Sequence, residues 1–273
     1  MRTVTLVENS AFCEGCTAEH GLCIYIETEK HRILADTGQT DALVKNAALL
    51  GIDLGGVDTV VLSHGHYDHS GGIMPFSEIN GTARIYMHER AAEPHFNMEK
   101  YIGIDERIPA LPNVITTGGE LRIDDELYLF SGVTGRRCFP EGNKRLKMLS
   151  GGFTGEKVCD DFAHEQYLLI TSGGKMLLVS GCAHNGILNI LDRCSRLTGR
   201  YPDVVMTGFH MMKRDGDHTP AEISVIKQTA EELRRLPTVF YSGHCTGQPA
   251  FDIMKEIMGD KLMPLGTGVE IIL

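Results

Sequence analysis

The residues best able to do chemistry sit in one short run, His64-Gly65-His66-Tyr67-Asp68-His69. It places four potential metal ligands within six positions. His64 and His66 lie two apart, so on an extended loop both side chains leave on one side and can ligate one ion. Asp68 and His69 follow the turn and point elsewhere, toward a second ion. Imidazole nitrogen with carboxylate oxygen suits zinc first, with iron or manganese as alternatives. Gly65, and Ser70-Gly71-Gly72 after the run, let the loop fold tightly. The bland alternative is a polar surface loop with chance histidines. Two divalent ions held here would lower the pKa of a shared water toward ~7 and could clamp phosphate or carboxylate oxygens.

Other histidines repeat the context. An apolar run ends in a small residue and a histidine follows: Val60-Val61-Leu62-Ser63 leads to His64, Leu177-Leu178-Val179-Ser180 to His184, Val204-Val205-Met206-Thr207 to His210, and Val239-Phe240-Tyr241-Ser242 to His244. Ile33-Leu34-Ala35 ends instead in Asp36-Thr37-Gly38. Short continuous apolar runs suit strands buried on both faces. Loops at one end of such strands are held by the scaffold and converge. The pattern predicts strands over 3–7, 22–27, 32–35, 59–62, 84–87, 127–133, 166–171, 176–180, 204–207, 239–242 and 269–273. The stretch from His88 to Asn113 fits poorly and reads as a loop with short helix that shapes a pocket.

Helical stripes follow several of these ends. Thr219-Pro220-Ala221-Glu222 forms a capping box with Pro at the first helical position, and the helix stops before Pro237. Ile187 to Leu197 carries an apolar stripe closed by Gly199, and Leu43–Leu50 and Phe251–Met258 carry two more. Two sheets face to face with helices outside would bury all of these runs. The whole chain, 1–273, reads as one α/β domain.

The chain has 273 residues, 42% of them hydrophobic, and a formal charge of −10. An acidic chain is a poor match for a polyanion, so nucleic acid is not expected as a partner. No apolar run approaches the ~20 residues of a membrane span, and no signal segment opens the chain, which predicts a cytoplasmic protein. Its eight cysteines are then expected as thiols, the pair in Cys13-Glu14-Gly15-Cys16 included, although a lone C-x-x-C can also be redox-active or help hold a metal. The basic segment Arg136, Arg137, Lys144, Arg145 and Lys147 is either a solvated loop or a clamp for a phosphorylated small substrate.

His64-x-His66-x-Asp68-His69 after an apolar strand, with Asp36-Thr37-Gly38 before it, resembles the metallo-β-lactamase superfamily. A narrower likeness rests on Glu19-His20-Gly21-Leu22, Ser180-Gly181-Cys182-Ala183-His184-Asn185-Gly186, Gly208-Phe209-His210 and Gly243-His244-Cys245-Thr246-Gly247. These are similar to the dihydropteroate-synthase-like branch, related to the archaeal 7,8-dihydropterin-6-methyl-4-(β-D-ribofuranosyl)aminobenzene 5′-phosphate synthase. The resemblance implies a four-layered αββα sandwich with two metals at the sheet edges.

On that likeness His64, His66 and His184 are expected at one metal, and Asp68, His69 and His244 at the other. The usual bridging Asp of the superfamily is not evident; either Cys182 takes that position or the bridge is solvent alone. Asp160, Asp161 and His164 precede the strand at Gln166 and compete with His184. Asp36 is expected beside the metals, orienting a ligand. Asp68 is expected to orient the nucleophile as well. His210 is either a substrate contact or a satisfied strand-end histidine, and His20 either touches substrate or holds a turn. His31, His88, His95 and His218 are given no role.

The function implied is a metal-dependent hydrolase acting on a small molecule, phosphorylated if the basic loop is a clamp. The alternatives are a pterin-pyrophosphate-dependent transferase and a non-catalytic metal or redox module using Cys13, Cys16, Cys182 and Cys245. A homodimer is compatible with the sequence.

Overall fold

The computed structural model describes residues 1–213 and 216–273. The strands of the first part are β1 (Arg2–Val7), β2 (Cys23–Glu27), β3 (Arg32–Ala35), β4 (Thr59–Val61), β5 (Arg84–His88), β6 (His95–Asn97), β7 (Lys100–Tyr101) and β8 (Val114–Thr117). Those that follow are β9 (Glu120–Arg122), β10 (Leu127–Phe130), β11 (Leu146–Leu149), β12 (Lys157–Cys159), β13 (Tyr167–Ser172), β14 (Lys175–Val179), β15 (Val204–Thr207), β16 (Val239–Ser242), β17 (Leu262–Pro264) and β18 (Glu270–Ile272). The helices are α1 (Ala42–Leu49), α2 (Tyr67–Ser70), α3 (Ile73–Ile79), α4 (Ile187–Thr198), α5 (Pro220–Arg234) and α6 (Gln248–Met258).

Two seven-stranded sheets form the body, in the orders β18-β1-β2-β3-β4-β5-β8 and β17-β16-β15-β14-β13-β10-β9. Each is half antiparallel and half parallel: β3, β4, β5 and β8 run parallel, as do β14, β15, β16 and β17. The period-2 geometry of a strand explains why both faces are apolar. Ile24 and Ile26 of β2 face the layer between the sheets, and Cys23 and Tyr25 face the helices. In β14, Leu177 and Val179 point inward while Met176 and Leu178 meet α4, α5 and α6. The result is the four-layered αββα sandwich that the sequence implied.

The capping box of α5 is present, with Thr219 and Glu222 satisfying each other's backbone amides. His88 to Asn113 carries short 3₁₀ helices at Glu89–Ala92 and Ile108–Ala110, as expected, but its reading as otherwise loop is corrected. It holds the hairpin β6–β7, and a third, four-stranded sheet joins it to β11 and β12 in the order β12-β11-β6-β7. A second correction concerns the thiols. Cys13 and Cys16 are joined in a disulfide, their Cα atoms 5.6 Å apart and within bridging reach. The other six cysteines are free. Among the described residues no helix is long and apolar enough to cross a membrane.

His31, left without a role, pins two turns together. Its Nδ1 bonds Asp58 Oδ1 at 2.8 Å and its Nε2 bonds Asp124 Oδ2 at 2.6 Å, linking the β2–β3 turn to the β9–β10 turn. Burial disfavours the charged ring, but the hydrogen bonds to the two carboxylates outweigh it and raise its pKa above 6.5. A raised pKa means that this stabilisation is complete below the unfolded value and is lost as pH rises through the folded one. The gap in urea midpoint between wild type and His31→Ala should therefore be wide near pH ~6 and narrow near pH ~9. An equal gap at both pH values would show that the imidazolium contributes nothing.

Candidate metal centre

The site lies at the carboxyl ends of β3, β4, β14, β15 and β16, where the two sheets open toward the same side. The chain leaves several of these strands through left-handed residues, with φ of 57° at Asp36, 53° at Ala183, 49° at His210 and 47° at His244. Such conformations are disfavoured for residues with a Cβ and persist where the surroundings over-determine them. Gly65 cannot carry a side chain, because a Cβ there would collide with the carbonyl oxygen of Ala91.

His64, His66 and His184 converge: one ligand atom of each lies within 4.8 Å of the others. Nε2 of His64 and Nε2 of His184 are buried and have no hydrogen-bond partner. Buried polar atoms without partners are costly in a finished protein, so the set fits a missing cation. The hydrogen-bond network assigns two of the tautomers. Ser63 Oγ donates to Asp36 Oδ2 at 2.7 Å, so it must accept from His64 Nδ1–H at 2.8 Å, which leaves His64 Nε2 as a lone pair. Asn143 Nδ2 donates to the His184 carbonyl at 2.7 Å, so Asn143 Oδ1 accepts from His184 Nδ1–H at 3.0 Å, with the same outcome. Burial first, and the neighbouring imidazoles second, push the pKa of all three rings well below 6.5, so they are neutral and able to ligate.

Asp68, His69 and His244, expected at the second ion, fall into two neighbouring groups: His244 with Asp68 and His20, and His69 with His64 and Cys182. His69 Nε2 lies 3.1 Å from His244 Nε2 and 3.1 Å from Cys182 Sγ, and His244 Nε2 lies 3.5 Å from Asp68 Oδ2. Tetrahedral ligands on bonds of ~2.0–2.1 Å sit about 3.3 Å apart, so these spacings suit a cation. His244 Nδ1 donates to Asn9 Oδ1 at 2.9 Å, which frees its Nε2. Burial opposes protonation of His69, yet the adjoining Asp36 carboxylate raises its pKa to about 9. The Nδ1 proton serves Asp36 at 2.6 Å, and the Nε2 proton is the one a cation would displace. Burial likewise opposes ionisation of Asp68, but the hydrogen bond from His20 and the charge of nearby His69 hold its pKa well below the ordinary value. Burial pushes the Cys182 thiol well up.

The remaining expected residues fall into place unevenly. His20 Nε2 lies 3.2 Å from Asp68 Oδ2, and Asn9 Nδ2 lies 3.3 Å from His20 Nδ1. His210 is half-buried with its ring centroid 4.1 Å from that of His184, and it groups with Cys182 and Cys245. Asp36 is buried and takes the Ser63 amide, the Ser63 hydroxyl and His69. His164 is buried behind the run, its Nδ1 accepting from the Gly65 amide at 2.9 Å. Asp161 is placed away from the site, its exposed side chain 3.2 Å from Arg90.

The basic segment does not act as a unit. Arg136 stacks over Phe139, Arg137 pairs with Asp192 at 3.2 Å, Lys144 pairs with Glu141, and Lys147 donates to Cys159 Sγ at 3.3 Å. Of these five only Arg145 lines the cavity of about 240 Å³ over the centre. Lys100 and Lys213 join it from other segments, and Ile102, Leu146, Met211 and Ile226 supply apolar wall.

Two buried carboxylates were not expected. Glu8 accepts the His244 and Ser10 amides, and Glu165 accepts the amides of His184 at 2.6 Å and Asn185 at 2.9 Å. Tyr167 and the Asn185 side chain also donate to Glu165, while burial lifts its pKa to about 7. A sequence signal for Glu8 existed: it follows the apolar run of β1 as His64 follows that of β4.

The model of the metallo-beta-lactamase superfamily matches residues 16–136. The chain is 28% identical over 301 residues to the 7,8-dihydropterin-6-methyl-4-(beta-D-ribofuranosyl)-aminobenzene-5′-phosphate synthase of Methanocaldococcus jannaschii, covering 98% of this chain and 95% of the synthase. It is also 28% identical over 264 residues to an uncharacterized protein of that organism, covering 92% of this chain and 93% of that one. The crystal structure of Tm1679, a metal-dependent hydrolase of the beta-lactamase superfamily, superposes with a TM-score of 0.83 at 28% identity, covering 100% of this chain and 99% of that one. Zinc-bound PqqB from Methylobacterium extorquens shares the fold, with a TM-score of 0.57 at 13% identity and full coverage of both chains at 100%.

Glu165→Ala would strip an acceptor from two buried amides and a buried phenol. At ~1–3 kcal/mol for each unsatisfied group, the variant should lose at least ~2 kcal/mol of stability in chemical denaturation. A loss below ~0.5 kcal/mol would mean that the loop carrying His184 is held by other contacts.

Proposed function

We propose that this chain, which carries a metallo-β-lactamase superfamily domain, is a metal-dependent enzyme acting on a phosphorylated small molecule seated over His64, His66, Asp68 and His69. The observation that carries the reading is the convergent set His64, His66 and His184, with buried ring nitrogens that lack partners, beside the groups His64–His69–Cys182 and His20–Asp68–His244 and beneath a cavity edged by Lys100, Arg145 and Lys213. His64, His66 and His184 would hold one divalent ion, and Asp68, His69 and His244 the other, with Cys182 beside the second. Bound there, divalent ions supply an activated water and neutralise charge on phosphoryl oxygens. Zinc is the first expectation for this donor set.

The chain's own residues provide the rest. His20 holds the Asp68 carboxylate in place at 3.2 Å. Asp36 locks His69 and the entry to the His64 loop. His210, facing His184 at the cavity floor, is positioned to contact substrate. Lys100 and Arg145 would receive phosphate oxygens, and the apolar wall would take a flat uncharged body and exclude water from it.

Two reactions fit this arrangement. Metal-dependent hydrolysis is supported by the likeness to Tm1679. Displacement of pyrophosphate from a pterin by an aminobenzene acceptor is supported by the full-length likeness to the archaeal synthase.

Metal-loaded protein incubated with 6-hydroxymethyl-7,8-dihydropterin pyrophosphate separates them. Pyrophosphate release that needs an aminobenzene or ribosyl-aminobenzene phosphate acceptor marks transfer, and release without one marks hydrolysis. Either should vanish in His66→Ala and on chelation. Lys100→Ala with Arg145→Ala should raise KM by ~10-fold or more while leaving kcat less affected. Absence of release under both conditions would sink the pterin pyrophosphate as substrate.

A further inference from the structure

His66 belongs to two groups. Besides the set with His64 and His184, its ring lies with His95, Asp160 and His164, each offering an atom within 4.8 Å of the others. His95 opens β6 and Asp160 follows β12, so the third sheet brings both to the back of the site. His95 is 0% and Asp160 7% exposed.

The protons in this group can be assigned. His95 Nδ1 lies 2.8 Å from Asp160 Oδ2, and Asp160 Oδ1 accepts the Phe162 amide at 2.8 Å. An ionised carboxylate only accepts, so His95 carries its proton on Nδ1 and presents a bare lone pair at Nε2. That nitrogen is buried without a partner, as is Nε2 of His66. His164 cannot satisfy it. Because His164 Nδ1 accepts from the Gly65 amide, its own proton sits on Nε2, 3.4 Å from Asp160 Oδ1. Its ring lies across the His95 ring at 3.9 Å between centroids, so its N–H does not point there. With its proton on Nε2, His164 offers no lone pair to a cation in this group.

The His66 ring stands 5.6 Å from that of His95 at 76°. Two imidazoles joined end to end by a hydrogen bond of ~3 Å have centroids a little over ~5 Å apart. His164 Nε2 is without a hydrogen-bond partner as well, but its ring lies across that of His95, so Nε2 of His66 is the natural partner of Nε2 of His95.

We propose that His95, backed by Asp160, is a positioning residue that accepts the Nε2 proton of His66. This fixes His66 in the tautomer whose lone pair is on Nδ1, the opposite of His64 and His184. A hydrogen-bonded partner behind a ligating histidine orients the ring and raises its basicity. The inference rests on the candidate centre, but the tautomer can be read with or without metal.

The experiment is a two-bond proton–nitrogen correlation on histidine-labelled protein, zinc-loaded and zinc-free, with zinc affinity measured by chelator competition. His66 should be protonated at Nε2 in both forms, and His64 and His184 at Nδ1. His95→Phe, which fills the space but accepts nothing, should weaken zinc ~10- to 100-fold. His95→Gln, which can accept from His66 and donate to Asp160, should recover most of that loss. A packing role alone predicts the reverse order, with Phe better than Gln. The inference is overturned if His66 is protonated at Nδ1, or if His95→Phe binds zinc as wild type does. Failure of wild type to bind zinc would count against the candidate centre, and the zinc-free spectrum would still decide the tautomer.

Discussion

Asp36, Glu8 and Glu165 are carboxylates almost without solvent, and each accepts a backbone amide of a loop that delivers candidate ligands. Asp36 ties the exit of β3 to Ser63 and His69. Glu8 ties the exit of β1 to His244. Glu165 ties the entry of β13 to His184 and Asn185. A buried charge is tolerable only when its lone pairs are filled. Each carboxylate therefore requires its loop in one conformation, and each loop requires its carboxylate. The left-handed residues at these exits are held by the same reciprocity.

That constraint needs a rigid frame. The two sheets supply it because their inner faces interlock Ile24, Ile33 and Val61 with Leu168, Leu177 and Met206. The first sheet contributes His64, His66, Asp68 and His69, and the second contributes His184, His210 and His244. The centre is thus a seam between two half-molecules with similar strand arrangements. A shift of one sheet against the other by the width of a methyl group would pull His184 and His244 away from the ligands of the first sheet.

Much of this was legible in the sequence because the pattern is dense. Four ligand types in six residues, and apolar runs closed by a small residue and a histidine, encode both strands and site. The third sheet was not legible. Its strands are two to four residues long, and Lys157–Cys159 is exposed throughout, so no apolar alternation marks it. The basic segment misled for a different reason. Its charges are adjacent in sequence but find carboxylates and an aromatic face from other elements, so only Arg145 reaches the cavity. His95 carried no local signal at all, because its meaning depends on Asp160, sixty-five positions away. The disulfide between Cys13 and Cys16 was not legible because a lone C-x-x-C spacing serves reduced and bridged pairs alike.

The division of the ligands between the sheets also bears on synthesis. A ribosome that has emitted the chain through β8 has exposed every donor of the His64–His69 run and none of those from the second sheet. At that stage Glu165 and Glu8's partner His244 do not yet exist outside the tunnel. The early histidines can then gather an ion only as a loose, partly hydrated chelate. The coordination of any ion would then wait on the last parallel strands, which makes β16 the element that closes the centre.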